Sequence, residues 1–180
     1  MKDNDIFGMK LFADFRLFES LMELQTAKAL IEKAIPTSGI QTWADLGAGG
    51  GLFTNALSQL LPKGSTITAI DKTKSKIEVA AGIDLVTKIG DFISMRLEET
   101  DGILMANSLH YVKDQKQFLN SLKTITKRVV LVEYNMDNPN AWVPYPISFN
   151  TLRSIIDARL LAETPSQYQP RGIYSALISF

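Results

Sequence analysis

Apolar positions along the chain switch between a short, strand-like spacing and a helical one. Ile40–Asp45, Thr66–Ile70 (TITAI), Asp84–Ile89 (DLVTKI), Asp101–Ala106 (DGILMA) and Arg128–Tyr134 (RVVLVEY) are brief runs rich in apolar residues, TITAI also β-branched, and predict strands. The fifth run is nearly continuous, as suits a strand covered on both faces of a parallel sheet. Between the strands the spacing becomes helical. Leu24, Ala27, Ile31, Ala34 and Ile35 share one face of a helix over Leu21–Ile35, which stops at Pro36–Thr37–Ser38–Gly39. Leu52–Leu61 is a second helix, ended by Pro62–Lys63–Gly64. Lys72–Ala81 reads as a short helix closed by Gly82. Asp114 and Gln117 form a capping box for a helix carrying Phe118, Leu119, Leu122 and Ile125. After a loop over Asn138–Pro146, Ser148 caps a helix bearing Phe149, Leu152, Ile155 and Ile156. Leu160–Thr164 and Ile173–Phe180 predict two last strands joined by a polar loop over Gln167–Gly172.

Strands alternating with helices define an α/β, doubly wound, mostly parallel sheet. Ligands of such sheets bind beyond the carboxyl ends of the strands, where strand order reverses. That rule singles out residues 45–51, Asp71, Asp91 and Phe92, residues 107–111, and Glu133 to Asn135. The richest of these is WADLGAGGGLF at 43–53, a strand that ends in an acid and a cluster of glycines before a helix begins. Glycines permit positive φ and bring a ligand against bare backbone. A helix N-terminus behind the turn offers unpaired N–H groups. The stretch reads as a nucleotide-type cradle.

Composition narrows the chemistry. At 180 residues the chain reads as one domain of ordinary size, 1–180, with a helical segment at 1–38 ahead of a core at 39–180. Formal net charge is zero, so no global field draws nucleic acid or anionic lipid. There is no cysteine, which removes disulfides, thiolate metal sites and thiol nucleophiles. A single histidine, His110, argues against a metal centre of His ligands. No leader-like segment or membrane-length apolar run is present, so a cytoplasmic protein without a membrane partner is expected.

A nicotinamide dinucleotide would need G-x-G-x-x-G, but the third glycine position counted from Gly47 is Leu52. An acid at Asp45 also suits a pyrophosphate poorly. The chain instead resembles the class I S-adenosylmethionine-dependent methyltransferases. The resemblance rests on DLGAGGG at 45–51, Asp71 ending the second strand, GDF at 90–92, ANSLHYV at 106–112 and the terminal strand pair. It implies a Rossmann-like seven-stranded sheet with an antiparallel C-terminal hairpin, and S-adenosylmethionine as cofactor. It implies that Gly47, Ala48, Gly49 and Gly51 carry the methionine tail. Asp71 would then take the ribose hydroxyls, with Lys72 a cofactor neighbour or simply solvated. Asp91 would meet the adenine amino group, with Phe92 beside the ring, and Asn107 and Ser108 would border the methionine part. Asp45 would serve the ammonium, directly or through water. Each acid has a plainer alternative: Asp45 capping the turn, Asp71 capping the next helix, Asp91 an exposed turn acid.

The acceptor is less legible. Methyl transfer needs alignment and water exclusion, and a base only if the acceptor must lose a proton. The lack of cysteine and of the D/N-P-P-Y-type segment that DNA amino-methylating members of this superfamily carry after the fourth strand points away from nucleic acid, and ANSLHYVKD resembles the corresponding segment of small-molecule methyltransferases, which implies a small-molecule acceptor. His110 is the candidate catalytic base, or else a residue that orients its loop. Glu133, Tyr134, Trp142 and Tyr145 flank the end of the fifth strand and are candidates for the acceptor pocket. Phe12 and Phe15 belong to an aromatic run over Ile6–Phe18 that reads as a core-packed helix, a lid over this pocket, or a homodimer surface. Two other functions compete: a non-catalytic S-adenosylmethionine-binding subunit and a nicotinamide oxidoreductase.

Overall fold

A computed structural model describes residues 24–164 and 172–180. The N-terminal aromatic run, with Phe12 and Phe15, and most of the loop before the last strand lie outside the described residues. The strands are β1 (Thr42–Leu46), β2 (Thr66–Asp71), β3 (Asp84–Ile89), β4 (Gly102–Ala106), β5 (Arg128–Tyr134), β6 (Arg159–Thr164) and β7 (Ile173–Ser179). The helices are α1 (Leu24–Ile31), α2 (Leu52–Ser58), α3 (Gln115–Ser121) and α4 (Phe149–Ile155). The seven strands form one sheet in the order β3-β2-β1-β4-β5-β7-β6. β1 to β5 are mutually parallel, and β7 runs antiparallel between β5 and β6. The chain builds outward from β1 through β2 to β3, then crosses back to β4. The reversal therefore falls between β1 and β4.

Alternation along the strands feeds two cores. On one face Trp43, Ile67, Leu104, Val130 and Val132 pack with Ala27, Leu30 and Ile31 of α1 and Ala56 and Leu57 of α2. On the other, Leu46, Ile103, Met105, Val129 and Leu131 pack with Leu119 of α3 and Leu152 of α4. The continuous apolar run of β5 is explained by this double burial. Asp114 caps α3 by accepting from the Gln117 N–H, and Ser148 caps α4 by accepting from that of Thr151, both as the sequence predicts.

Three expectations shift. β1 begins at Thr42 rather than Ile40, whose side chain stands in solvent. α2 ends at Ser58, before its predicted limit at Leu61, and the last predicted turn of α1 is a 3-10 turn over Glu32–Ala34. Lys72–Ala81 is not a helix. The Asp71 carboxylate captures both the Thr73 N–H and hydroxyl, each at 2.8 Å, and turns the chain away from helical dihedrals. Beyond it Ser75, Ile77 and Val79 are half-buried while Lys74, Lys76 and Glu78 are exposed, a two-residue period. The strap is fastened where the Ala80 N–H donates to Ser58 Oγ at 2.8 Å.

Candidate functional site

The turn after β1 is held by backbone bonds. The N–H groups of Gly47 and Ala48 both donate to the Ile70 carbonyl, at 2.8 and 3.0 Å, and that of Gly51 donates to Ala48 O at 2.9 Å. Gly47 and Gly51 adopt φ of 82° and 85°. A Cβ at Gly47 would stand 2.5 Å from Ser108 Cβ, and one at Gly51 2.7 Å from Ile77 Cγ2. Both positions are closed to side chains by dihedral and by contact. The Ser108 hydroxyl donates to Leu46 O at 2.6 Å, which locks the segment after β4 onto the end of β1. Asn107, just before it, has φ of 52°, unusual for a residue with a side chain.

An open cavity of about 1010 Å³ lies over this reversal point. Asp45, Gly47, Ala48, Gly49, Gly51, Asp71, Lys72, Asp91, Phe92, Asn107 and Ser108 all line it, so every residue expected at the cofactor is brought together. Asp45 is buried on the cavity floor. Its Oδ2 accepts from the Thr54 hydroxyl at 2.6 Å, while Oδ1 is buried with no partner among the described residues. Burial pushes its carboxyl up to about 7; the Thr54 hydrogen bond pulls it down and the nearby Asp71 charge raises it further. Asn107 Oδ1 is a second buried acceptor without a partner. Asp71 Oδ2 accepts from the Gly49 N–H at 2.9 Å, and its other oxygen serves Thr73. Asp91 pairs with Lys72 across the cavity rim at 2.9 Å, and that lysine holds its carboxyl below the ordinary carboxylate value. Phe92 is pinned edge-on against Phe118, centroids 5.8 Å apart, with its buried ring forming part of the cavity wall.

The residues expected around the acceptor behave differently. His110 and Glu133 are fully buried and do not line the cavity. Glu133 Oε1 accepts from the N–H groups of Leu109 and His110 at 2.8 and 3.3 Å, and Oε2 lies 2.8 Å from His110 Nδ1. This carboxylate braces the turn after β4 from behind. Tyr134 is buried in the core, Trp142 is half-buried, and Tyr145 is exposed; none of the three reaches the cavity. The loop carrying Trp142 and Tyr145 is tied down instead, by the Tyr145 N–H donating to His110 O at 3.0 Å and by Gln115 Nε2 donating to Tyr145 O at 2.7 Å. Sequence reasoning missed Thr54, whose only signal is its place one helical turn beyond the glycines. Tyr111, which sequence assigns no role beyond its place in the segment after β4, also lines the cavity. Among the described residues no cluster of potential metal ligands occurs, and no helix is long and apolar enough to cross a membrane.

A model of the methyltransferase domain family matches residues 44–131, from β1 into β5. Solved structures share the fold. The bifunctional kinase-methyltransferase WbdD superposes with a TM-score of 0.62 at 22% identity, over 87% of this chain and 38% of that one. The N-terminal domain of EvdMO1 with SAH bound gives 0.59 at 15% identity, over 87% and 80%. The mitomycin 7-O-methyltransferase MmcR gives 0.57 at 18% identity, over 86% and 53%. The chain thus spans well under half the length of WbdD. No curated protein sequence matches it. Just under half of the chain, residues 44–131, thus carries the methyltransferase-domain match, within a fold shared with these methyltransferases.

Proposed function

We propose that the protein transfers a methyl group from S-adenosylmethionine to a small-molecule acceptor. The observation that carries this reading is the pair of buried, unpartnered acceptors, Asp45 Oδ1 and Asn107 Oδ1, beside the glycine turn. Buried acceptors without donors are costly, and an ammonium supplies three N–H donors and a positive charge. A dinucleotide pyrophosphate would bring only further acceptors and negative charge to the same place. Asp45 and Asn107 accordingly hold the amino group of the cofactor's methionine end, and the turn 47–51 carries its backbone. Asp71 faces the ribose hydroxyls. Three of its roughly four lone-pair sites are already filled by Gly49 and Thr73, so ribose binding displaces one of these donors or shares with it. Asp91 and Phe92 frame the adenine.

Bound S-adenosylmethionine supplies an electrophilic methyl group on a sulfonium. What this chain contributes is alignment: Ser108 and Asn107 fix the wall after β4, and Tyr111 borders the open side from which an acceptor enters. His110 and Glu133 position that wall from behind rather than meeting the acceptor, because both side chains are sealed from the cavity. The small-molecule character of the acceptor is supported by the zero net charge and by neighbours whose names include mitomycin O-methylation.

Titration calorimetry with S-adenosylmethionine, its demethylated product and NAD tests the cofactor assignment. Binding of both adenosyl ligands and not of NAD is expected; the reverse preference overturns it. Release of demethylated product across a library of small hydroxylated and amino acceptors then separates catalysis from mere binding.

A further inference from the structure

Among the described residues, β3 forms the outer edge of the sheet on the side opposite the terminal hairpin, with β2 as its one strand neighbour. The Asp84 N–H donates to Ser65 O at 3.0 Å and the Gly90 N–H to Asp71 O at 2.9 Å. The even-numbered residues of β3 therefore turn their peptide groups toward β2. By the two-residue period of a strand, Leu85, Thr87 and Ile89 turn theirs to the free edge. Proteins commonly blunt such an edge with proline or a bulge; β3 contains no proline and pairs with β2 in unbroken register. Its side chains are left open as well, with Val86 42% and Ile89 66% exposed.

The charges on this edge select an occupant. Asp84, Val86 and Lys88 lie on one face of the strand. Antiparallel pairing of two copies, with the two-fold axis at Val86, sets Leu85 opposite the partner's Thr87, so that the outward peptide groups of both close a ladder. The same register sets Asp84 opposite the partner's Lys88 twice over, and Val86 opposite itself, in the closely spaced pairs where side chains meet. No neighbouring two-fold register does this. An axis at Thr87 puts Val86 against Lys88, an axis at Leu85 puts Asp84 against Val86, and an axis at Lys88 opposes two lysines. Lys88 Nζ lies 2.8 Å from Glu98 Oε1, and the remaining donors of its ammonium are free to serve an aspartate across the interface. The geometry points to a homodimer in which two β3 edges pair antiparallel about Val86, joining the two sheets into one. Its basis is independent of the N-terminal phenylalanines.

The test is the mass of the full chain in solution by sedimentation equilibrium over a range of concentrations. A dimer is expected for the natural sequence. Asp84→Lys and Lys88→Asp each oppose like charges twice and weaken the dimer tenfold or more. An equimolar mixture of the two variants regains it, since each offers the charge the other lacks. A monomer at every concentration overturns the proposal. So does a dimer indifferent to both substitutions, or a mixture that fails to associate. Should either variant be misfolded by circular dichroism, Thr87→Pro supplies the test. It removes an N–H that takes no part in the β2 ladder, and it must dissociate the dimer while leaving a folded monomer that still binds S-adenosylmethionine.

Discussion

Two carboxylates lie buried at the carboxyl ends of β1 and β5, separated only by β4. Glu133 collects three donors: two backbone N–H groups and one imidazole nitrogen. Asp45 has one, the Thr54 hydroxyl, and keeps an empty oxygen on the cavity. Both are buried, yet their oxygens are satisfied to very different degrees. A buried carboxylate whose lone pairs are filled by its own chain is a brace. One left half-satisfied beside a cavity carries an unmet cost that a ligand with the right donors relieves. That contrast, more than the glycines, separates the architectural residues of this site from its receptor residues.

The strongest way to break the comparison is at the brace. Glu133→Ala strands His110 Nδ1 and two buried N–H groups, and is expected to cost about 3–5 kcal/mol of folding stability in denaturant titration. Glu133→Gln keeps the shape and part of the hydrogen bonding and should cost about 1–3 kcal/mol. A loss below about 1 kcal/mol for the alanine variant would remove Glu133 from its structural role.

Asp45→Asn should do the reverse. Between pH 3.8, where an ordinary aspartate ionises, and about 7, where this one does, the folded protein holds a proton that the unfolded chain has released. Stability contributed by this group therefore falls as pH rises through that window and is lowest above it. Asparagine removes this penalty, so the cofactor-free variant should be at least as stable as the natural protein at pH 8. Its amide still accepts from Thr54 but turns an N–H₂ toward the ammonium, and S-adenosylmethionine affinity should drop by about 1–3 kcal/mol in calorimetry. In the natural protein the same affinity should decline below pH 7, up to about tenfold per unit, because binding must first strip the proton from Asp45. A flat pH profile would contradict the ammonium assignment.

At the rim the effects shrink. Asp71→Ala loses the ribose acceptor but also frees Gly49 and Thr73, so about 1–2 kcal/mol of binding is expected. Unchanged affinity would show that its partners within the chain are its whole purpose.

The sheet, and the gathering of the expected cofactor residues around one cavity, were legible in sequence for a common reason. β5 alternates between two covered faces, so Val129 to Val132 had to be apolar throughout. The glycine turn, Asp71 and Asp91 sit at strand ends, where the topology rule assigns ligands without knowledge of side-chain packing. The strap over 72–81 was misread because its two-residue period is confined to six residues, 74–79, and because the Asp71–Thr73 contact that starts it leaves no periodic trace. His110, after β4, and Glu133, near the end of β5, are each expected at the acceptor from sequence, whereas the structure pairs them with each other away from the cavity. Sequence position gives the strand end, not whether the side chain points into the cavity or beneath it. Only burial distinguishes the two, and burial depends on how the 138–146 loop closes over His110.

The finest probe of the contrast is Thr54→Val, which removes one hydroxyl from a buried helix position at nearly constant volume. Asp45 then loses its single donor, the one influence that lowers its titration point against burial and the charge of Asp71. Its ionisation should move above 7, and the pH at which S-adenosylmethionine affinity reaches its plateau should move up with it. At pH 7 the expected loss is about 0.5–1.5 kcal/mol, recovering as the pH is raised and the carboxylate forms. A structural perturbation alone would lower affinity equally at every pH. The decisive comparison is the double variant with Asp45→Asn. If Thr54 acts by supporting the charge on Asp45, its replacement should no longer move the pH profile once that charge is gone, and the two losses should fail to add.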